Sequence, residues 1–277
     1  MTDKYAVIGN PVAHSKSPLI HAEFARQTGR DICYERLLAP LDAFEVTVRG
    51  FFDGGGKGLN VTVPFKHAAW NMVDSHDRHA MNANAVNTIK CMNGRLVGYN
   101  TDGVGLLCDL KENLRCTVQG KRVLLMGAGG AVYGVMEPLL REQPQQLVVV
   151  NRTLDKALSL VGHFRTVKGI PLRAVSARAY PDLGGASFDL VINATSAGLG
   201  DAMPPLPDGV FAPGALAYDM VYGKTTPFMA FARARGAHAV DGTGMLVEQA
   251  AESFLIWHEV RPDTAPVIAL LRHQTAE

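Results

Sequence analysis

Four short apolar runs limit what this chain can fold into: "RVLLMG" (122–127), "QLVVVN" (146–151), "FDLVINA" (188–194) and "ALAYDMVY" (215–222). Their apolar residues are nearly continuous rather than alternating, as in strands covered on both faces of a parallel sheet. Helical patterns separate them, which predicts βαβ units with right-handed crossovers. The first half is organised differently. "KYAVIG" (4–9) closes on Gly9-Asn10-Pro11, and "ICYERLL" (32–38) and "GLNVTV" (58–63) follow as strands. Residues 86–91 and 95–99 flank Met92-Asn93-Gly94, and Asn-Gly is a strong hairpin signal. Ser17-Pro18 opens a helix, with Ser17 as N-cap and Gly29 near the stop, and residues 41–52 form the next one. Helical patterns also cover 102–114 and 245–258. The fold class is therefore α/β with two domains. A mixed-sheet domain spans 1–101 and is completed by 245–277, and a doubly wound, Rossmann-like domain spans 102–244.

A length of 277 residues suits two domains, and 47% hydrophobic with 19% charged residues suits a full core. A net charge of +1 gives no electrostatic reason to expect nucleic acid or an anionic membrane as partner. Cys33, Cys91, Cys108 and Cys116 are dispersed without a C-x-x-C pair, which fits a reducing cytoplasm. The opening "MTDKYAVIGN" reads as a strand, not a signal peptide. His76 and His79 are the closest histidine pair, but they lack an H-E-x-x-H frame, so no metal is expected. A G-x-S-x-G nucleophile elbow is missing, which disfavours a hydrolase.

"LLMGAGGAVYG" (124–134) lies where a strand turns into a helix. Glycines there let the backbone approach a pyrophosphate at the helix N-terminus. Gly127 and Gly129 fit the G-x-G-x-x-G pattern, but Val132 holds the third position, so a plain tight turn is also open. At the end of the next strand, where an NAD site presents an acid to the ribose, this chain has Asn151-Arg152-Thr153, with Lys156 a turn later. A guanidinium binds a 2′-phosphate that a carboxylate would repel, so the reading is NADP over NAD. Thr153 could equally cap the following helix.

Polar residues gather at strand ends in the first half. "HSKSP" offers Ser15 and Ser17 before a helix, suiting a carboxylate or simple capping. "NVTVPFK" offers Thr62 and Lys66, "AVNT" offers Asn87, and "NTDG" offers Asp102 at a helix start, where it could be an ordinary cap.

Together, "GNPVAHSKSP", "GLNVTVPFKHAA", "NAVNTI", "GYNTDGVG", "GAGGA", "NRT", "NATSAG", "DMVY" and "VDGTGMLVEQAA" resemble the shikimate dehydrogenase family nearly end to end. The resemblance implies a substrate domain from the N-terminal half plus C-terminal helices, an NADP domain between them, and reversible reduction of 3-dehydroshikimate to shikimate. It implies that Ser15 and Ser17 hold the substrate carboxylate, with Tyr222 nearby. Thr62, Asn87 and Gln249 would bond the ring hydroxyls, and Lys66 and Asp102 would form the catalytic pair. The cofactor would be held by Gly127, Ala128, Gly129, Gly130 and Ala131, by Asn151, Arg152, Thr153 and Lys156, and by Thr195, with Met220 and Gly244 near the nicotinamide. The implied partner is a small molecule, and the implied protein is a cytoplasmic monomer or homodimer.

Two residues depart from the family pattern. Asn84 stands where a glycine is expected before "AVNT", and Asn tolerates positive φ better than most residues. Tyr133 replaces a basic residue and removes one possible contact to the 2′-phosphate. Both leave room for a paralogue acting on quinate or aminoshikimate. A non-catalytic metabolite sensor is a further alternative, but such a protein would be expected to have lost Lys66 or Asp102.

Overall fold

A computed structural model describes residues 2–167, 169–170, 175–195 and 203–274. The chain divides into two compact units, one of residues 1–105 and 247–270, the other of 106–246 and 271–277. The sequence pattern instead divides the chain at 101/102 and 244/245 and assigns all of 245–277 to the first domain, whereas 271–277 here group with the second unit, and each unit boundary lies inside a helix rather than in a linker.

In the first unit, β1 (Asp3–Gly9), α1 (Ser17–Thr28), β2 (Ile32–Leu38), α2 (Phe44–Asp53), β3 (Gly56–Val61), α3 (Lys66–Met72), β4 (Ser75–His76), α4 (Arg78–Ala83), β5 (Thr88–Met92) and β6 (Arg95–Tyr99) follow in order. The six strands form one mixed sheet, ordered β2-β1-β3-β5-β6-β4. β1 lies parallel to both β2 and β3, whereas β5 runs antiparallel to β3 and β6. Central β1 is buried from Tyr5 to Gly9, while edge strand β2 is partly exposed along its length. The hairpin forms as its sequence dictates. Asn93 and Gly94 both take positive φ, 53° and 78°, as a two-residue primed turn requires.

α1 begins at Ser17, but Ser17 is not its cap. Lys16 holds the cap position without a side-chain bond, and the Ser17 amide instead donates to Ser15 Oγ at 3.2 Å. The helix stops at Gly29, which is left-handed at φ 66°. β3 ends at Val61, two residues earlier than the sequence pattern suggests, because Thr62 and Val63 belong to the turn that delivers Lys66 to the start of α3.

α5 (Asp102–Cys108) is followed by a wider π turn over Asp109–Asn113. The second unit then adds β7 (Arg122–Met126), α6 (Gly130–Arg141), β8 (Gln146–Val150), α7 (Leu154–Thr166), β9 (Val175–Arg178), β10 (Phe188–Asn193), β11 (Phe211–Asp219), α8 (Pro227–Ala234) and β12 (His238–Val240). All of its strand pairs are parallel, in the order β9-β8-β7-β10-β11-β12. The strand order reverses beside β7, which creates the crevice where ligands bind doubly wound sheets. Alternate residues of one strand feed two cores, Leu125 and Val149 on one face, Leu124 and Val148 on the other. That two-sided burial is why the runs lack polar alternation. α9 (Thr243–His258) and α10 (Ala265–Gln274) close the chain. No described helix is long and apolar enough to cross a membrane.

Candidate active site

The first unit collects its candidate residues at one edge of its sheet. β1 and β3 are parallel, so Ser15 and Ser17 after β1, and Thr62 and Lys66 after β3, leave from the same end. β5 starts and β6 finishes at that end too, since Asn60 pairs with Thr88 and Thr88 with Tyr99. Asn87 and Asp102 flank those two strand ends. This edge is where ligands sit in open α/β sheets.

Lys66 Nζ lies 2.6 Å from Asp102 Oδ2, with the two side chains 21% and 7% exposed. The other Asp102 oxygen accepts from Asn87 Nδ2 at 2.8 Å. Asp102 is therefore not a helix cap; Asn100 Oδ1 takes the Asp102 amide at 3.1 Å. Asp102 is the buried member of this partly buried pair, so removing Lys66 would leave its carboxylate as an uncompensated buried charge.

A directed line of hydrogen bonds fixes the amide of Asn87. Tyr34 OH donates to Asn60 Oδ1 (2.7 Å), Asn60 Nδ2 to Thr88 Oγ1 (3.1 Å), and Thr88 Oγ1 to Asn87 Oδ1 (3.0 Å). The Thr101 amide also donates to Asn87 Oδ1 at 2.9 Å. The amide nitrogen of Asn87 is thereby turned toward Asp102. Ser253 on α9 accepts from Asn60 Nδ2 at 3.0 Å and lies 2.8 Å from Thr88 Oγ1. One turn earlier, Gln249 Oε1 lies 3.5 Å from both Asn87 Nδ2 and Thr101 Oγ1. Asn87, Lys66, Asp102 and Gln249 thus form one cluster, while Ser15 and Ser17 form their own pair, with hydroxyls 3.1 Å apart. The Thr62 hydroxyl bonds to none of the described residues; its methyl packs so closely on Gly9 that a Cβ there would sit 2.5 Å away. Ser253 and Tyr34 carry no motif signal, and Asn60 and Thr88 lie inside the quoted motifs without a role of their own; only the folded sheet shows what these four side chains do.

The second unit has a separate cavity of about 460 Å³ at the ends of its strands. Ala128, Gly129, Asn151, Arg152, Thr153, Lys156 and Thr195 line it, together with Tyr180, Met203, Pro204 and Pro205, which sequence reasoning missed. Gly127 turns at φ 111°, and a Cβ on Gly129 or Gly130 would meet nothing within 4 Å, so that side of the loop is open. α6 starts at Gly130 with no side-chain cap. Thr153 does not cap α7 through its hydroxyl either; its carbonyl accepts from Asn151 Nδ2 at 2.8 Å. Arg152 and Lys156 have no ion-pair partner among the described residues, so two cations face the cavity without an acid.

Gly127, Gly130, Ala131, Met220 and Gly244 do not line that cavity. The Met220 amide donates to Asn193 O at 2.9 Å, and Asn193 Oδ1 in turn accepts from both the amide and the hydroxyl of Thr195. Gly244 packs against buried Asp109, leaving no room for a side chain. Tyr222 lies in the bend after β11, half-buried, and burial raises its phenol above the usual range. Tyr133 packs on His163 and Phe164 of α7. Asn84 is left-handed at φ 47° and ends α4, so it takes the glycine-like conformation its position requires. Among the described residues no three His, Cys, Asp or Glu side chains gather as a metal site.

Residues 7–89 match the family described as shikimate dehydrogenase substrate binding domain, 109–199 match shikimate / quinate 5-dehydrogenase, and 242–272 match the shikimate 5'-dehydrogenase C-terminal domain. A curated relative from Alkalilimnicola ehrlichii, named shikimate dehydrogenase (NADP(+)), is 58% identical over 98% of this chain and 99% of its own length. The chain belongs to the shikimate dehydrogenase family. Among solved shikimate dehydrogenases, the Thermus thermophilus protein in complex with NADP(H) and shikimate is 33% identical, with a TM-score of 0.86 and coverage of 98% and 99%. The Ael1 enzyme of Pseudomonas putida is 46% identical, with a TM-score of 0.92 and coverage of 98% of both chains.

Proposed function

We propose that this shikimate dehydrogenase family member reversibly reduces 3-dehydroshikimate to shikimate with NADPH, using Lys66 and Asp102 as its acid–base pair. The observation that carries this reading is the 2.6 Å contact between Lys66 Nζ and Asp102 Oδ2, at the sheet edge that also presents Ser15, Ser17, Thr62 and Asn87. The family membership and the NADP-dependent relatives support the same activity.

The first unit is the substrate domain in this reading, and the second holds the dinucleotide. Ser15 and Ser17 donate hydroxyls to the substrate carboxylate, with Tyr222 as a further contact. Thr62 has an uncommitted hydroxyl for the ring, and Asn87 and Gln249 bond the remaining hydroxyls. A lysine ammonium has three donors; one is spent on Asp102, leaving two for the reacting oxygen. Reduction of the ketone builds charge on that oxygen, and Lys66 supplies the proton as the charge develops. In the oxidative direction Lys66 takes the proton back. Asp102 holds the ammonium in place and accepts from the same hydroxyl.

The residues of the second unit fit NADP. Open glycines at the start of α6 suit a pyrophosphate, and Arg152 and Lys156, without acid partners, suit a 2′-phosphate. Gly127, Gly130 and Ala131 complete the loop, Asn151, Thr153 and Thr195 border the cavity, and Met220 and Gly244 would serve the nicotinamide end of the bound cofactor. NADP, when bound, supplies or accepts the hydride. Replacing Lys66 by Met keeps the stem and removes the charge. We expect Lys66→Met to lower kcat by roughly 10²–10⁴ with little change in KM for shikimate. Near-normal kcat in that variant removes Lys66 from the chemistry.

A further inference from the structure

Arg36 has no role in the mechanism above. It lies near the end of edge strand β2, and its guanidinium reaches the loop between β1 and α1. There Nε and Nη2 both donate to the carbonyl oxygen of Ser15, at 3.0 and 2.7 Å. A guanidinium ordinarily pairs with a carboxylate or phosphate. Among the described residues Arg36 has no such partner, so its solvent-exposed positive charge stands beside Ser15 without an ion pair. The loop runs into the first turn of α1, a 12-residue helix with no acidic residue in that turn. The helix dipole there has the same sign as the guanidinium. Two hydroxyls, a helix start and an unpaired cation converge on one loop.

We propose that Arg36 is a positioning residue for the substrate carboxylate. Its paired bonds hold the Ser15 peptide so that the hydroxyls of Ser15 and Ser17 stay 3.1 Å apart, and its unpaired charge favours an anionic group at that end of the site. The inference rests on the assignment of the carboxylate to Ser15 and Ser17. It also predicts that the site discriminates by charge, taking cyclic hydroxy acids over neutral cyclic alcohols of the same shape.

Steady-state kinetics of the full chain test this with wild type, Arg36→Met, Arg36→Lys, Ser15→Ala and Ser17→Ala. Arg36→Met should raise KM for shikimate roughly 5–20-fold, a hydrogen-bonded charge discounted for solvent exposure, with kcat within about twofold. KM for NADP should not move. Arg36→Lys should recover part of the loss, because it keeps the charge without the paired bonds. Raising salt from about 0.05 to about 0.5 M should raise KM for shikimate more in wild type than in Arg36→Met. Higher KM in both serine variants with an unchanged KM in Arg36→Met overturns the role of Arg36 alone. Unchanged KM in both serine variants overturns the carboxylate assignment and the Arg36 inference together. A drop in kcat and melting temperature without a rise in KM makes Arg36 a structural staple and overturns the proposal.

Discussion

His21 is fully buried beneath the candidate site, its ring stacked on Tyr34 at 4.3 Å and 6°. Neither ring nitrogen makes a well-formed hydrogen bond among the described residues, although Asn60 is near enough to oppose protonation loss weakly. Burial, and then the charge of His258, pushes its pKa down to about 3. His258 is itself pushed down to about 4, first by burial and then by Arg30. In the unfolded chain both titrate near ~6.5. Between that value and about 3–4 the unfolded chain binds more protons than the folded one. Stability is therefore complete above pH ~6.5 and is lost as acidity rises through that window, by an amount on the order of a few kcal/mol. Thermal melting as a function of pH should show a flat region near neutrality and a falling limb below about pH 6.5. His21→Leu should flatten much of that limb. A limb unchanged in His21→Leu would assign acid sensitivity to other groups.

Two helices depend on one missing side chain. A Cβ on Gly105 of α5 would lie 2.6 Å from Gln249 Cβ and 2.7 Å from its backbone nitrogen on α9. Asp102 is one turn before Gly105, so this contact sets the spacing between Asp102 and Gln249. Gly105→Ala must push α5 away from α9, at a cost of about 1–3 kcal/mol for overpacking. We expect it to lower kcat/KM for shikimate by about tenfold or more, since a shift near 1 Å at reacting groups is that expensive. Kinetics beside a melting curve check this; full activity in the variant would mean the helices are not in register through Gly105. Glycines of this kind are hard to recognise in sequence. Asn93-Gly94 and Gly29 announce turns locally, and the apolar runs announce the parallel sheet. Gly105 closes the "GYNTDGVG" motif, but nothing local explains it, because its constraint comes from a residue 144 positions away (249 − 105). The bonds joining Asn60, Thr88 and Ser253 are equally non-local, the longest spanning 193 positions. β11 was legible only in part. It starts at Phe211, ahead of the apolar run, because Pro213 and Gly214 sit where its register against β10 shifts, with Gly214 at φ 73°. In sequence those residues look like a loop; in the sheet they are a bulge.

Across the whole molecule, two six-stranded sheets of different design carry different chemistry. The mixed sheet of the first unit ends in hydroxyls, amides and the Lys66–Asp102 pair, while the parallel sheet of the second ends in an open glycine loop with Arg152 and Lys156. The motif order made both ends readable in sequence, whereas Tyr180 and Pro204-Pro205 enter the cavity through long connections that no periodicity marks. The proposed reaction needs an acid–base pair that serves a hydroxy acid and a dinucleotide site selective for a 2′-phosphate. Initial rates of the purified chain on shikimate and on quinate, each with NADP and with NAD, test it most directly. Quinate carries an extra hydroxyl that a site built for shikimate desolvates without a partner, at about 1–3 kcal/mol or roughly 5–150-fold in specificity. The highest kcat/KM is expected for shikimate with NADP, lower values for quinate with NADP, and a further drop for either acid with NAD. Turnover of quinate as efficient as that of shikimate, equal use of the two cofactors, or no oxidation of shikimate would contradict the proposed reaction.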